Sequence, residues 1–221
     1  MKVYGMAISS VTQKVLLVFA EKGHECELVN VDVLKGEDKL PAHLGRQPFG
    51  EIPVLEDDGF WLYESRAIIR YLDRRLSGPA LIPSDLRELA RMDQWISIEQ
   101  SYFSGPVWEL VRGGPVYEII RQSVGAENFP PPPDAASLER ARLEAARPLD
   151  VMNEALAERE YLAGSQCSLA EVSFMPYVQY MVASGGEDLI LERPNVAAWW
   201  RRISTRPSWL KVGKVLDRSY L

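Results

Sequence analysis

Two short segments of the chain carry residue types that together could hold the ends of a small, peptide-shaped anion. The first is Ile52-Pro53, which opens an apolar run. Proline cannot donate to a strand ladder, and an X-Pro bond in a tight turn can be cis. A cis bond would leave the N–H and C=O of Ile52 facing outward, where they could pair with an extended peptide. The alternative is an ordinary proline of an edge strand.

The second segment is Glu64-Ser65, at a predicted helix start. A helix N-terminus attracts carboxylates, and a serine there adds a hydroxyl group. Glu64 could hold an ammonium group. The pair therefore suits the head group of an α-amino acid, although a plain helix N-cap at Ser65 would explain the same residues.

The composition is that of an ordinary globular protein. The chain has 221 residues, of which 47% are hydrophobic, and a net charge of −6. This charge gives no reason to expect nucleic-acid or membrane partners. The two cysteines, Cys26 and Cys167, lie far apart without metal-ligand spacing, so neither a disulfide framework nor a metal site is predicted. Without a signal-like N-terminus or a long apolar run, the chain is expected to be soluble and cytoplasmic.

The first part of the chain predicts a small mixed sheet. Residues 2–5 form a strand, Ser9 and Ser10 are candidate caps of a helix that Gly23 ends, and residues 26–33 form a second strand. This order favours a parallel pair with a crossover. Asp57-Asp58-Gly59 predicts a hairpin, and the spacing from Ser65 to Leu76 is helical.

Residues 77–83, rich in glycine and proline, divide the chain. We predict an α/β domain over 1–76, a linker over 77–83 and an all-α bundle over 84–221. The predicted helices of the second domain are 85–112, 135–159, 169–183, 195–204 and 207–216. Pro130 to Pro133 are interpreted as a stiff connection.

Several long segments, in this order, resemble a cytosolic glutathione transferase of the serine type, most similar to the phi class. They are MKVYGMAISSVTQKVLLVFAEKG at the start, GEDK at 36–39, RQPFGEIPVLEDDGFWLYESRAIIRYL at 46–72 and GSQCSLAEVSFMP at 164–176. The resemblance implies a thioredoxin-like N-terminal domain that binds glutathione and a helical C-terminal domain that supplies an electrophile pocket. It also implies glutathione as co-substrate, no prosthetic group, a role in detoxification and a homodimer.

Residue roles follow from the same resemblance. Ser9, with Ser10 as the alternative, would donate its hydroxyl to the glutathione sulfur. Lys39 would meet the glycine carboxylate, the backbone of Ile52 before Pro53 would pair with the cysteinyl unit, and Glu64 with Ser65 would hold the γ-glutamyl group. Glu51 would lie near the glycine end.

Two positions depart from the family pattern. Asp38 stands where the family usually has histidine, and Glu51 stands where it has glutamine. Both place negative charge near an anionic tripeptide, so we expect weak glutathione affinity, or a modified or different thiol.

The second half offers further candidates. Ser168 and Glu171 form a predicted capping box, expected to be structural. An aromatic and apolar set is either helical core or, by resemblance, part of the electrophile pocket; it comprises Tyr102, Phe103, Val107, Trp108, Tyr117 and Ile120. His24 and His43 are expected at the surface, so no catalytic triad is predicted.

Two functions are considered. The first is transfer of alkyl or aryl groups to glutathione through its thiolate. The second is a non-catalytic protein of the same fold that binds or carries ligands, which Asp38 and Glu51 keep open.

Overall fold

The computed structural model describes residues 1–115, 117, 118, 121 and 130–213, which divide into two compact units. Residues 1–80 and 207–213 belong to the first unit and residues 81–206 to the second. No helix among the described residues is long and apolar enough to cross a bilayer.

The first unit contains a four-stranded mixed sheet with strand order β2-β1-β3-β4. Its elements are β1 (Lys2–Gly5), α1 (Ser10–Glu21), β2 (Glu27–Asn30), α2 (Pro41–Leu44), β3 (Val54–Asp57), β4 (Phe60–Tyr63) and α3 (Ser65–Arg75). Two 3₁₀ turns, Val33–Lys35 and Glu37–Lys39, follow β2. β1 and β2 are parallel, and β3 is antiparallel to both β1 and β4. The predicted crossover and hairpin are confirmed.

The register of the sheet decides where its loops emerge. Tyr4 pairs with Val54, and Val54 pairs with Tyr63. The chain therefore leaves β1, enters β3 and leaves β4 at the same end of the sheet. Gly5 pairs with Asn30, so the chain also leaves β2 at this end. We call this end the loop end.

Helices α1 and α3 pack against each other and cover the apolar residues of the sheet. The core includes Val3, Val15, Leu17, Val18, Leu55, Ile68, Ile69 and Leu72, each fully buried. A buried ion pair ties the end of α1 to α3: Lys22 Nζ donates to Asp73 Oδ1 at 2.9 Å and to the carbonyl of Pro79 at 2.9 Å. This pair fixes the orientation of both helices.

The regular elements of the second unit are all helices within its described residues, as predicted. Its helices are α4 (Leu86–Ile98), α5 (Ser104–Gly113), α6 (Ala135–Ala155), α7 (Leu169–Ala183), α8 (Glu187–Leu191) and α9 (Pro194–Ser204). The predicted helix over 85–112 is interrupted by a π-helical turn, Glu99–Phe103. The helix predicted to end at 159 ends at Ala155, and α8 was not predicted.

The predicted capping box at the start of α7 is confirmed. Ser168 N and Oγ both donate to Glu171 Oε2 at 2.8 Å, and Leu162 N donates to the other carboxylate oxygen at 2.6 Å. Burial raises the pKa of Glu171, while these hydrogen bonds act in the opposite direction. The carboxylate joins the cap to the preceding loop.

The last helix, α10 (Pro207–Val212), belongs to the first unit, although the sequence analysis assigned it to the second domain. The prediction assigned all of 84–221 to the helical domain, whereas α10 groups with the first unit. Lys211 Nζ lies 3.0 Å from Glu25 Oε1, and Ser208 Oγ bonds to Glu21. Residues 214–216 of the predicted helix lie outside the described residues.

Candidate functional site

Ser9 occupies the N-cap of α1, immediately beyond the loop end of β1. Its Oγ accepts a hydrogen bond from Thr12 N at 3.4 Å, and its backbone is extended. The side chain is partly exposed. Because the cap bond uses a lone pair of the oxygen, the hydroxyl hydrogen stays available for an acceptor outside the helix. Ser10, the alternative donor, is the first residue inside the helix.

The peptide bond between Ile52 and Pro53 is cis, as the sequence suggested. Pro53 directly precedes β3, which lies between β1 and β4, so the alternative of an edge-strand proline is wrong. Ile52 is partly exposed, and no described residue hydrogen-bonds to its backbone. The backbone N–H and C=O of Ile52 thus lie at the loop end of the sheet without a partner among the described residues.

The turn before Ile52 is organised by two buried side chains that the sequence analysis did not assign. Gln47 Oε1 accepts from Phe49 N at 2.6 Å and from Glu51 N at 3.2 Å. His43 Nε2 donates to the Glu51 carbonyl at 2.8 Å. His43 is 2% exposed, so its predicted surface position is wrong, because α2 turns the ring inward onto this turn.

Glu64 and Ser65 form the entry to α3. Glu64 holds the N-cap position with φ of +70°, a conformation that costs a non-glycine residue about 1–3 kcal/mol. Its side chain makes no capping hydrogen bond and is exposed. Ser65 is the first helical residue, so the alternative of a plain N-cap at Ser65 is wrong. This backbone presents the N-terminus of α3 at the loop end of the sheet.

The hairpin that leads into α3 is anchored by Asp57. Its Oδ2 accepts from Tyr71 Oη at 2.6 Å and from Arg75 Nε at 2.9 Å. The Tyr71 hydrogen bond, followed by the positive charge of Arg75, holds the pKa of Asp57 below its usual value. The same contact raises the pKa of Tyr71. The contacts fix the hairpin on α3 and thereby the position of Glu64 and Ser65.

Lys39 lies among oxygen atoms of its own chain. Its Nζ is 2.5 Å from the Gly50 carbonyl, 3.1 Å from Asp38 Oδ2 and 3.8 Å from Glu51 Oε1. Asp38 is 8% exposed, whereas the Glu51 side chain is 69% exposed. The two residues that depart from the family pattern are therefore the two that surround the lysine.

Of the six candidate pocket residues of the helical unit, the five that the structure describes do not share one surface. Phe103 and Val107 are fully buried and belong to the core, where Phe103 packs on Phe174 with ring centroids 5.2 Å apart. For these two residues the structure agrees with helical core, the alternative that the sequence analysis left open, and not with a pocket surface. Ile120 lies outside the described residues.

The remaining three residues are placed differently. Tyr102 is 64% exposed and lines a groove of about 470 Å³ with Pro148 and Val151. Trp108 is half exposed and packs edge-on against Tyr117, which is buried and donates to the Pro130 carbonyl at 2.9 Å. Exposed apolar surface is thus present at Tyr102 and at Trp108.

Two family models match this chain. The model described as "Glutathione S-transferase, N-terminal domain" matches residues 1–74, and the corresponding C-terminal model matches residues 117–207. Glutathione S-transferase F11 of Arabidopsis thaliana is 37% identical over 214 residues, covering 96% of each chain. Glutathione S-transferase PARB of Nicotiana tabacum is 31% identical over 95% of each chain.

Solved structures agree with these sequence matches. Glutathione transferase F7 of Populus trichocarpa superposes with a TM-score of 0.88 at 33% identity, covering 98% of this chain and 99% of that one. Glutathione S-transferase I "from Mais", solved with an atrazine glutathione conjugate, gives a TM-score of 0.85 at 28% identity, covering 99% and 98%. The plant F-type relatives confirm the resemblance to the phi class. The chain belongs to the glutathione S-transferase family, and is a transferase enzyme with that family's two-domain fold rather than a non-catalytic carrier.

Proposed function

We propose that this enzyme binds glutathione at the loop end of the sheet and uses Ser9 to keep the glutathione sulfur ionised for attack on small apolar electrophiles. The observation that carries this proposal is the register of the sheet. In this register three parts of the chain lie at one end of the sheet. They are the segment that leads from β1 to Ser9, the backbone of Ile52 before Pro53, and the start of α3 at Glu64-Ser65. These are groups that an extended γ-glutamyl tripeptide needs.

Ser9 acts by hydrogen bonding and is not itself the nucleophile. A free thiol has a pKa of about 8.5 and is mostly protonated at neutral pH. A hydroxyl donor at a helix N-terminus favours the thiolate over the thiol. A shift of about 2 pKa units corresponds to about 2.7 kcal/mol. The thiol proton leaves to solvent before the attack.

The remaining groups orient the tripeptide. The N–H and C=O of Ile52 pair with the cysteinyl unit in the manner of an added strand. Ser65 and the N-terminus of α3 receive the γ-glutamyl carboxylate, while Glu64 receives the ammonium group. Lys39 lies at the glycine end. Positioning the sulfur beside its acceptor then supplies much of the rate increase.

The chemical step forms a bond between the sulfur and an electrophilic carbon. In a displacement the leaving group departs with the electron pair of its bond, and in an addition the electrons pass to an acceptor within the electrophile. Trp108 and Tyr102 are the candidate electrophile contacts because both carry exposed apolar surface. The atrazine glutathione conjugate in the Mais relative supports an apolar aromatic partner.

The test of the proposal is the pH profile of kcat/KM in Ser9→Ala. If the sulfur pKa moves from about 6.5 back to about 8.5, the thiolate fraction at pH 6.5 falls about 50-fold. At pH 9 the two enzymes should differ less than about twofold in thiolate content. A rate with chlorodinitrobenzene that is unchanged at pH 6.5 removes Ser9 from the mechanism.

Two companion variants separate chemistry from folding. Ser9→Ala also removes the helix cap, which costs about 1 kcal/mol of stability. Ser9→Thr retains both cap and hydroxyl and should restore the native profile. Ser10→Ala should retain the native profile, whereas a loss confined to this variant would identify Ser10 as the donor.

Homodimerisation is part of the proposal. The first unit exposes Phe49, Phe60, Trp61 and Tyr63, with Phe49 edge-on to Tyr63. Covering such aromatic side chains would stabilise an association with a second copy. Sedimentation should show a dimer that Phe49→Ser weakens. Leu86→Ser, which changes a 75% exposed residue of the other unit, should leave the dimer intact. We further propose a cytoplasmic enzyme of detoxification.

A further inference from the structure

The ammonium group of Lys39 is already occupied by its own chain. An ammonium has three hydrogens to donate. Four oxygen atoms lie around it: the Gly50 carbonyl at 2.5 Å, Asp38 Oδ2 at 3.1 Å, the Phe49 carbonyl at 3.5 Å and Glu51 Oε1 at 3.8 Å. A substrate carboxylate at this lysine would compete with these acceptors for the ammonium hydrogens.

Contact with Gly50 also constrains the Lys39 stem, although the side chain is 58% exposed. Gly50 has φ of +64°, and a Cβ added there would lie 2.8 Å from Lys39 Cδ and 3.0 Å from Nζ. The lysine stem therefore lies directly against the glycine. His43 and Gln47 form hydrogen bonds with the backbone carbonyl and N–H of Glu51, respectively. The lysine and its two carboxylates form one organised cluster.

The charge of this cluster is negative. One ammonium and two carboxylates sum to −1, since Lys39 is the cation that both acids contact. A carboxylate arriving at Lys39 would meet the like charges of Asp38 and Glu51 beside the single opposite charge. The net charge of −1 disfavours its binding, and screening by solvent reduces this effect.

We propose that the glycine end of this site selects a γ-glutamylcysteinyl thiol whose C-terminal group carries no negative charge, such as glutathione with its glycine carboxylate masked as an amide or ester. Asp38 and Glu51 are the specificity-determining residues. This inference rests on the proposed function, because it takes the thiol-binding site as given and names the form of the thiol that the site prefers.

The experiment compares glutathione with its glycine monoethyl ester. In the native enzyme kcat/KM for the ester should equal or exceed that for glutathione. Glu51→Gln, which changes an exposed side chain, should raise kcat/KM for glutathione about 5- to 10-fold through KM and leave the ester within about twofold. Asp38→Asn should act in the same direction, and added salt should reduce both differences.

Glu27→Gln is the matched control. It removes the same charge from an exposed acid that pairs with Lys2, at the opposite end of the sheet from the loop end. It should leave the ratio of ester to glutathione unchanged. A tenfold or greater native preference for glutathione, or a ratio that Glu51→Gln does not move, would overturn the inference.

Calorimetry separates this inference from the proposed function. S-methylglutathione and its glycine monoester cannot react, so their relative affinities report on the glycine end alone. Preferred binding of the ester without turnover of any thiol would support the inference and overturn the catalytic role of Ser9. Turnover of glutathione together with preferred binding of the free acid would support the catalytic role of Ser9 and overturn the inference. Failure of both compounds to bind would overturn both.

Discussion

Replacing Gly50 by alanine should damage the glutathione site while leaving the fold of the first unit intact. Two costs are visible at this residue. Its φ of +64° is unfavourable for alanine by about 1–2 kcal/mol. The new Cβ would also lie 3.0 Å from the backbone oxygen of Asp38 and 2.8 Å from Lys39 Cδ. The lysine can move, but the backbone oxygen can move only with its turn, which adds about 1–3 kcal/mol.

Gly59, in the turn between β3 and β4, offers a matched control. Its φ is +87°, and an added Cβ would meet nothing within 4 Å. Gly59→Ala therefore incurs the conformational cost alone. Urea denaturation should give a loss of about 1–2 kcal/mol for Gly59→Ala and about 2–5 kcal/mol for Gly50→Ala.

The kinetic result is the decisive part of this prediction. Gly50→Ala should raise KM for glutathione, because Lys39 and the turn before Ile52 are displaced together. Gly59→Ala should leave KM unchanged. Equal losses of stability in the two variants, with native KM in both, would show that Lys39 does not lie against Gly50 as described.

Three further predictions concern contacts that stabilise the fold. Lys22→Met should destabilise the protein by about 3 kcal/mol, because the buried Asp73 loses this cation. Combining Lys22→Met with Asp73→Leu should recover most of this stability, as measured by urea titration. Asp57→Asn should cost about 1–3 kcal/mol at pH 7. Since the folded pKa of Asp57 is lowered, the native advantage is present above its usual value of 3.8 and should shrink as pH falls below it, which unfolding curves at pH 7 and pH 3 would test. Ser168→Ala should cost about 1 kcal/mol by loss of the cap of α7; a thermal midpoint equal to the native one would contradict the assigned cap.

Several elements of both units were predictable because their signals are local. Ser9 begins a helix by offering an oxygen to nearby N–H groups, and Asp58 and Gly59 accept the positive φ that a tight hairpin requires. Glutamate three residues after Ser168 completed a capping box that needs no distant partner. Such features depend on neighbours within four residues.

The errors arose where distant residues decide the outcome. Phe103 packs on Phe174 of α7 and is fully buried, as is Val107, although aromatic spacing alone allowed a pocket. The grouping of α10 with the first unit depends on Glu21 and Glu25, more than 180 residues earlier. Neither could be obtained from periodicity.

The same distinction applies to the site. Ile52 and Ser65 could be proposed because each precedes or begins a recognisable element, whereas the role of Ser9 was implied by the family resemblance. His43 and Gln47 were missed as supports of the turn, since their role depends on how α2 faces residues 49–51. The segment RQPFG contained Gln47, but its spacing does not indicate which backbone groups the side chain contacts.

The two ends of the proposed binding site differ in charge, and this difference makes a prediction about affinity. Ser9 and Ser65 lie at helix N-termini, which favour the thiolate and the γ-glutamyl carboxylate. The Lys39 cluster, with Asp38 and Glu51, opposes the glycine carboxylate. The chemistry at the sulfur depends on the first end, while the affinity for glutathione depends on both. We therefore expect that Ser9 lowers the pKa of the glutathione sulfur and that glutathione nevertheless binds weakly. Calorimetry that returned micromolar or tighter binding of unmodified glutathione would mean that Lys39 exchanges its own carboxylates for that of the substrate at little cost.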